Sequence, residues 1–205
     1  VKALAELGPQ TVIDYAVRFG FPPNLPPYLS LALGAAESTL IDVTSAYTAF
    51  PNQGVRMTPY AVTRIADRDG TVLFEGRPEP HEAIRADTAF VMTNLLHGVV
   101  LHGTAAAAAS LNWPLAGKTG TMDEYTDAWF VGFDPSITVG VWVGYDEKRP
   151  LGPNETGAVA ALPIWMDFMR AYIDRYGDRS NPPTFEPPGK DRKSTRLNSS
   201  HANIS

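Results

Sequence analysis

The sequence predicts an α+β fold in which helices cover an antiparallel β-sheet. Three observations carry that expectation. Helical patterns fill the first half of the chain, whereas 115–121, 128–133 and 137–145 are short runs separated by turn residues. In the last run, Ile137, Val139, Val141, Val143 and Tyr145 alternate with Thr138, Gly140, Trp142 and Gly144, the period of a strand. Connections this short suit antiparallel neighbours, because a parallel pair needs a crossover of about a dozen residues or more. Finally, Ile164, Trp165, Phe168, Met169, Tyr172 and Ile173 form an apolar stripe at helical spacing behind Pro163, and that face should lie on the sheet.

The earlier elements follow from local signals. Pro9 suits the first turn of a short helix whose stripe, Val12, Ile13, Ala16 and Val17, runs to Gly20 as a stop. A loop follows through Pro22, Pro23, Pro26 and Pro27. Thr39 predicts an N-cap, with Asp42 three residues on in a capping-box position. Leu40, Val43, Ala46, Tyr47 and Phe50 share one face of that helix, and Pro51-Asn52-Gln53-Gly54 ends it. Residues 60–66 and 71–75 predict a hairpin turning at Asp69-Gly70. Asp87 is the expected cap of another helix, with Val91, Leu95, Leu96 and Val99 on its buried face. Gly103 breaks it, and the alanines 105–109 predict a further short helical piece.

Composition narrows the function classes. The chain has 205 residues, and 17 basic against 22 acidic side chains give 17 − 22 = −5. That balance argues against nucleic acid as a partner, which needs concentrated Lys and Arg. No apolar run approaches the ~18 residues of a membrane span, and no membrane contact is expected of this segment itself. The absence of Cys excludes disulfides, thiolate metal sites and a Cys nucleophile, and leaves the redox compartment open. Val1 opens in what reads as a helix, without an initiator Met or signal-like stretch, so a preceding segment is expected. We expect residues 1–176 to form the folded part. Residues 177–205 hold only Phe185, Leu197, Ala202 and Ile204 as apolar side chains beside four prolines, and predict a disordered tail. Within it, 190–205 carries four bases and one acid and resembles translated adaptor sequence, so it carries no functional argument.

The sharpest local signal is Gly117-Lys118-Thr119-Gly120-Thr121. As a phosphate loop it fails, because the first glycine position is Asn112 and Trp113-Pro114 cannot curl round a phosphate. As a structural feature it is an exposed strand with Gly at a bulge. As the Lys-Thr-Gly element of penicillin-recognising serine enzymes it makes physical sense. A rim strand pairs with an extended substrate through its main chain, and Gly120 keeps the backbone approachable. Lys118 offers an ammonium to the nucleophile's surroundings and to a substrate carboxylate. Thr119 and Thr121 add hydroxyls for that carboxylate, and the Thr121 N–H suits a developing oxyanion.

More of the chain fits the last reading. Leu31-Ala-Leu-Gly-Ala-Ala-Glu-Ser-Thr, Asn52-Gln-Gly-Val-Arg-Met-Thr-Pro-Tyr and Ala116-Gly-Lys-Thr-Gly-Thr occur in order. Asp127-Ala-Trp-Phe-Val-Gly-Phe, Val141-Trp-Val-Gly-Tyr-Asp, Glu155-Thr-Gly and Ala161-Leu-Pro-Ile-Trp follow. Together, over about residues 1–175, they resemble the C-terminal part of the transpeptidase domain of class A penicillin-binding proteins. The resemblance implies a β-lactamase/transpeptidase-like fold, incomplete on its N-terminal side. It implies an enzyme on the periplasmic or extracytoplasmic face of the bacterial inner membrane, anchored through a segment upstream of this one. Its serine would attack the penultimate D-Ala carbonyl of a peptidoglycan stem peptide or lipid-linked precursor, release D-Ala and pass the acyl group to an amine. β-Lactams would acylate the same serine, and no metal or organic cofactor would be used. The site residues it implies are Lys118, Thr119, Gly120 and Thr121, with Lys118 and Thr121 catalytic.

The family's nucleophile lies in Ser-x-x-Lys, and no Ser of this sequence has Lys three residues on. Ser110-Leu111-Asn112 matches the family's Ser-x-Asn element, but it lies only eight residues before Lys118 and is read as coincidence. Both true elements are expected upstream of Val1, and the segment alone is expected to be inactive. A serine β-lactamase or D,D-carboxypeptidase of the same fold, and a non-catalytic peptide-binding module, stay open as rivals. Among other candidates, His81-Glu82 fails the zinc pattern at Arg85, and His97 and His102 are read as surface or loop residues. Asp123, Glu124 and Asp127 are read as a solvated turn bordering the groove. Trp129, Trp142 and Trp165 are read as core, and Gly103-Thr104 as a candidate for lining the cleft.

Overall fold

The computed structural model describes residues 1–189, so the expected tail over 190–205 lies outside the described residues. Two helices open the chain, α1 (Lys2–Leu7) and α2 (Pro9–Arg18), the second with Pro9 at its start as the sequence predicts. A 3₁₀ turn at Leu29–Leu33 leads to α3 (Leu40–Tyr47). Its cap is as expected: Thr39 Oγ1 accepts from the Asp42 N–H (3.1 Å) and donates to Asp42 Oδ2 (2.6 Å). Strand β1 (Val55–Met57) follows, then β2 (Arg64–Ala66) and β3 (Val72–Glu75), the predicted hairpin, and β4 (Pro80–Glu82), which returns antiparallel to β1.

Helix α4 (Ala86–His102) and a 3₁₀ turn (Ala106–Leu111) precede the main sheet. That sheet is antiparallel in the order β5 (Ala116–Thr121), β6 (Asp127–Phe133), β7 (Thr138–Gly144). A single π-type turn (Gly157–Ala161) leads into α5 (Leu162–Tyr176). The α+β class, the three strands and the covering helix are therefore as the sequence predicts.

Alternation along the strands separates two cores. On one face Ala128, Phe130, Val139, Val141 and Val143 pack against Leu162, Trp165, Met169 and Ile173 of α5. Phe130 and Trp165 meet edge to face, their centroids 4.9 Å apart. Burial of side chains this size stabilises by about 1.5–3 kcal/mol each. On the other face Ala116 and Phe133 pack with Leu96 of α4 and with Tyr47 and Phe50.

Several expectations are corrected. The N-cap of α4 is Arg85, and Asp87 sits inside the first turn, where it accepts from the Thr88 N–H (2.8 Å) and from the Arg85 guanidinium. The buried face of α4 is Ala89, Thr93, Leu96 and Val100, whereas Val91 and Leu95 are exposed. A threonine can hold that inner position because its hydroxyl donates to Ala89 O (2.9 Å). On α5 only Trp165, Met169 and Ile173 of the predicted stripe, with Leu162, are fully buried; Ile164 and Phe168 are about half exposed. The described start of the expected tail, 177–189, has neither helix nor strand but is held to the body. Phe185 packs against Phe133 and His97, and the Arg179 guanidinium donates to Leu111 O (3.2 Å).

Candidate functional site at the free edge of the sheet

Strand β5 forms an edge of the main sheet, and its polarity follows from one bond. The Met122 N–H donates to Asp127 O (3.0 Å), so alternate residues of β5 turn their backbone towards β6. Gly117, Thr119 and Thr121, one step out of phase, direct their N–H and C=O groups to the free edge. Side chains alternate at right angles to this: Lys118 and Gly120 face the α3 side, Thr119 and Thr121 the α5 side.

The Lys118 side chain is exposed and bends round the edge. Its Nζ donates to Thr119 O (3.0 Å) and, more weakly, towards Thr119 Oγ1 (3.4 Å), and it has no carboxylate partner among the described residues. The Thr119 hydroxyl meets the Thr104 hydroxyl at 2.7 Å. Thr121 Oγ1 accepts from the Gly157 N–H (3.0 Å) and keeps its own proton for another acceptor. Glycine is required at 157, because a Cβ there would lie 2.3 Å from Trp129 O and 2.5 Å from Gly120 O. The edge thus carries an ammonium, two hydroxyls and outward N–H groups, a donor array that suits a carboxylate or an oxyanion.

Beside it lies a cleft of about 750 Å³. Its walls are mostly apolar, with Val12, Leu25 and Tyr47 facing Lys118, Gly120 and Trp129. Burial pushes the Tyr47 phenol above its ordinary pKa. Trp129 and Trp142 line this cleft rather than the core, a correction to the sequence reading; of the three tryptophans read as core, Trp165 alone is fully buried. Asp127 is likewise no free turn carboxylate. Its Oδ1 accepts from Trp142 Nε1 (2.8 Å) and its Oδ2 from the Thr126 hydroxyl (2.8 Å).

The remaining candidates are placed as follows. His97 is no loose surface residue: its Nδ1–H donates to Leu115 O (2.6 Å), tying α4 to the entry of β5. His81 is hydrogen-bonded to Thr58, and the Ser110 hydroxyl donates to Ala107 O (2.7 Å) within its own turn. Among the described residues no three of His, Cys, Asp or Glu come together as a metal site. Sequence reasoning missed the Gly157–Thr121 bond and the Asp127–Trp142 pair. Both join residues distant in the chain, and only the blocks in which they occur were visible.

Comparison with known proteins gives one consistent result. Residues 5–162 match the family described as "Penicillin binding protein transpeptidase domain". Penicillin-binding protein 1A of Aquifex aeolicus is 44% identical over 176 residues, covering 86% of this chain and 24% of that protein. The protein of the same name from Neisseria gonorrhoeae is 39% identical over 178 residues, covering 83% of this chain and 22% of its own length. The chain therefore spans about a quarter of these relatives. Among solved structures, penicillin-binding protein 1A from Haemophilus influenzae superposes with a TM-score of 0.80 at 26% identity, covering 91% of this chain and 34% of that one. PonA1 from Mycobacterium tuberculosis in complex with penicillin V gives a TM-score of 0.71 at 25% identity, covering 85% and 52%.

Proposed function

Because the chain belongs to the penicillin-binding protein transpeptidase family, we propose that it is the substrate-holding part of a D,D-transpeptidase that cross-links peptidoglycan stem peptides outside the cytoplasmic membrane. The observation that carries this reading is the free edge of β5. There the Thr119 and Thr121 N–H groups face outward beside Lys118, and Gly120 leaves the backbone bare. An extended peptide ending in D-Ala-D-Ala would add to this edge as a further strand. Lys118 and Thr119 would hold its terminal carboxylate, and the Thr121 N–H would stabilise the oxyanion. A serine supplied by another part of the parent protein would attack the penultimate carbonyl carbon. The C–N bond then breaks, D-Ala leaves with the proton, and an acceptor amine takes the acyl group from the ester. β-Lactams, which carry a carboxylate beside a strained amide, would enter the same way. No metal or organic cofactor enters this scheme.

None of the described serines is followed by Lys at the third position. The 205-residue chain alone should therefore not be labelled by a fluorescent penicillin, whereas the full-length parent should be. Covalent labelling of the isolated chain at a single serine would overturn the division of labour. A parent protein that resists labelling would overturn the function.

A further inference from the structure

We propose that Thr104 is a positioning residue for carboxylate recognition, fixing the proton of Thr119 so that it points to the substrate. The inference rests on the function proposed above, and its starting observation is the 2.7 Å contact between the two hydroxyls. Local sequence explains why Thr104 is there. Helix α4 stops at Gly103, whose N–H donates to Val99 O (3.0 Å), and a Cβ at 103 would lie 2.8 Å from Val99 Cα and 2.9 Å from Val99 O. Glycine alone allows the chain to double back so closely on the last turn. The Ala105 N–H also donates to Val99 O (3.3 Å), and the Ala105 side chain is fully buried. Thr104 is therefore held between two anchored neighbours, with its side chain delivered to β5.

Counting protons then assigns a role. A threonine hydroxyl has one proton and two lone pairs, and an ammonium can only donate. Lys118 Nζ approaches one lone pair of Thr119 Oγ1 from 3.4 Å. When Thr104 donates to the other, both acceptor positions of Thr119 are taken and its proton must point away from both donors. The acceptor left for that proton is a carboxylate arriving at the free edge, where the backbone N–H groups of Thr119 and Thr121 also face. Thr104 touches neither ammonium nor substrate in this scheme and acts through Thr119.

The test compares acylation of the full-length parent protein by a penicillin and by its methyl ester, which lacks the carboxylate. Thr104→Val keeps the shape and removes the hydroxyl. It should slow acylation by the acid about tenfold, the loss expected for a hydrogen bond to a charged group. The ester rate and the melting temperature should hardly change, and Thr104→Ser should restore the acid rate. Equal slowing of acid and ester would make Thr104 merely structural and overturn the proposal, as would an unchanged acid rate. A wild-type parent that no penicillin acylates would instead sink the functional reading, and this inference with it.

Discussion

The carboxylate of Asp127, at the start of β6, accepts a 2.8 Å hydrogen bond from the indole N–H of Trp142 on β7. Trp142 in turn lies against Trp129, ring centroids 6.3 Å apart, and Trp129 stands opposite Gly120 in the register. The first residue of β6 thereby fixes the aromatic wall beside the bare backbone of β5. Asp127→Ala should cost about 1 kcal/mol in urea denaturation of the full-length protein, at the low end because water can reach the partly exposed indole. Trp emission should shift to the red. Asp127→Asn keeps an acceptor oxygen and should recover most of both effects; if it behaves like Ala, the hydrogen bond is not what holds the indole.

Lys118 is exposed and without a carboxylate partner among the described residues, so its charge is available to a ligand. Lys118→Ala should slow penicillin acylation of the parent by about a hundredfold while leaving its stability within about 0.5 kcal/mol. Lys118→Arg keeps the charge but not the compact ammonium and should fall between. An alanine variant acylated at the wild-type rate would remove Lys118 from the site.

Two glycines should respond in opposite directions to the same added methyl. At Gly157 it would meet Trp129 O at 2.3 Å and Gly120 O at 2.5 Å, forcing the π-type turn away from β5 and breaking the bond to Thr121. Gly157→Ala should destabilise by about 1–3 kcal/mol and slow acylation as well. At Gly98, inside α4, the methyl would meet nothing within 4 Å, and Gly98→Ala should stabilise by about 0.5–1 kcal/mol. Thermal melts of the two variants check the pair, and like signs would contradict this packing.

The segment after α5 has a titration signature. The Ser180 hydroxyl, joined by the Ser180 backbone N–H, holds the exposed Asp178 carboxyl below its ordinary pKa. A lowered pKa in the fold means that this bond contributes above the ordinary carboxylate pKa and is lost as pH falls through the folded value. Carbon-13 titration should show Asp178 below the ordinary range, and Ser180→Ala should move it back up. An unshifted Asp178 in the unmodified protein would show that the turn from Asp178 to Ser180 is not formed as described.

Sequence revealed most where a short-range period or a turn signal was strong. The alternation of 137–145 gave β7, and the hairpin was legible from its Asp69-Gly70 turn signal; the structure adds that Asp67 Oδ1 accepts from both the Asp69 and Thr71 N–H groups, a local device. The pairing of β1 with β4 was invisible, since each strand has three residues and the register joins Val55 to Glu82 across the hairpin. Faces were misjudged where polarity and position disagree. Thr93 lies inside by bonding its own helix, and Phe168 lies outside although it is apolar. The same reason put Trp129 and Trp142 in the core: an aromatic side chain announces burial without saying whether a core or a cleft provides it. Lys118 to Thr121 were legible because their chemistry is contiguous, whereas Gly157 lies far along the chain and acts through space.

The outer edge of β7 has consequences for handling the polypeptide by itself. Thr138–Gly144 contains no ionisable side chain and no proline, and no strand pairs with its far side among the described residues. Such an edge is a neutral template for another copy, whereas β5 bears a cation that repels its own kind. We expect preparations of the isolated segment to pair flank to flank into closed dimers, with a mass that doubles as concentration rises in sedimentation runs. Trp142→Lys, on the cleft face, should keep them single.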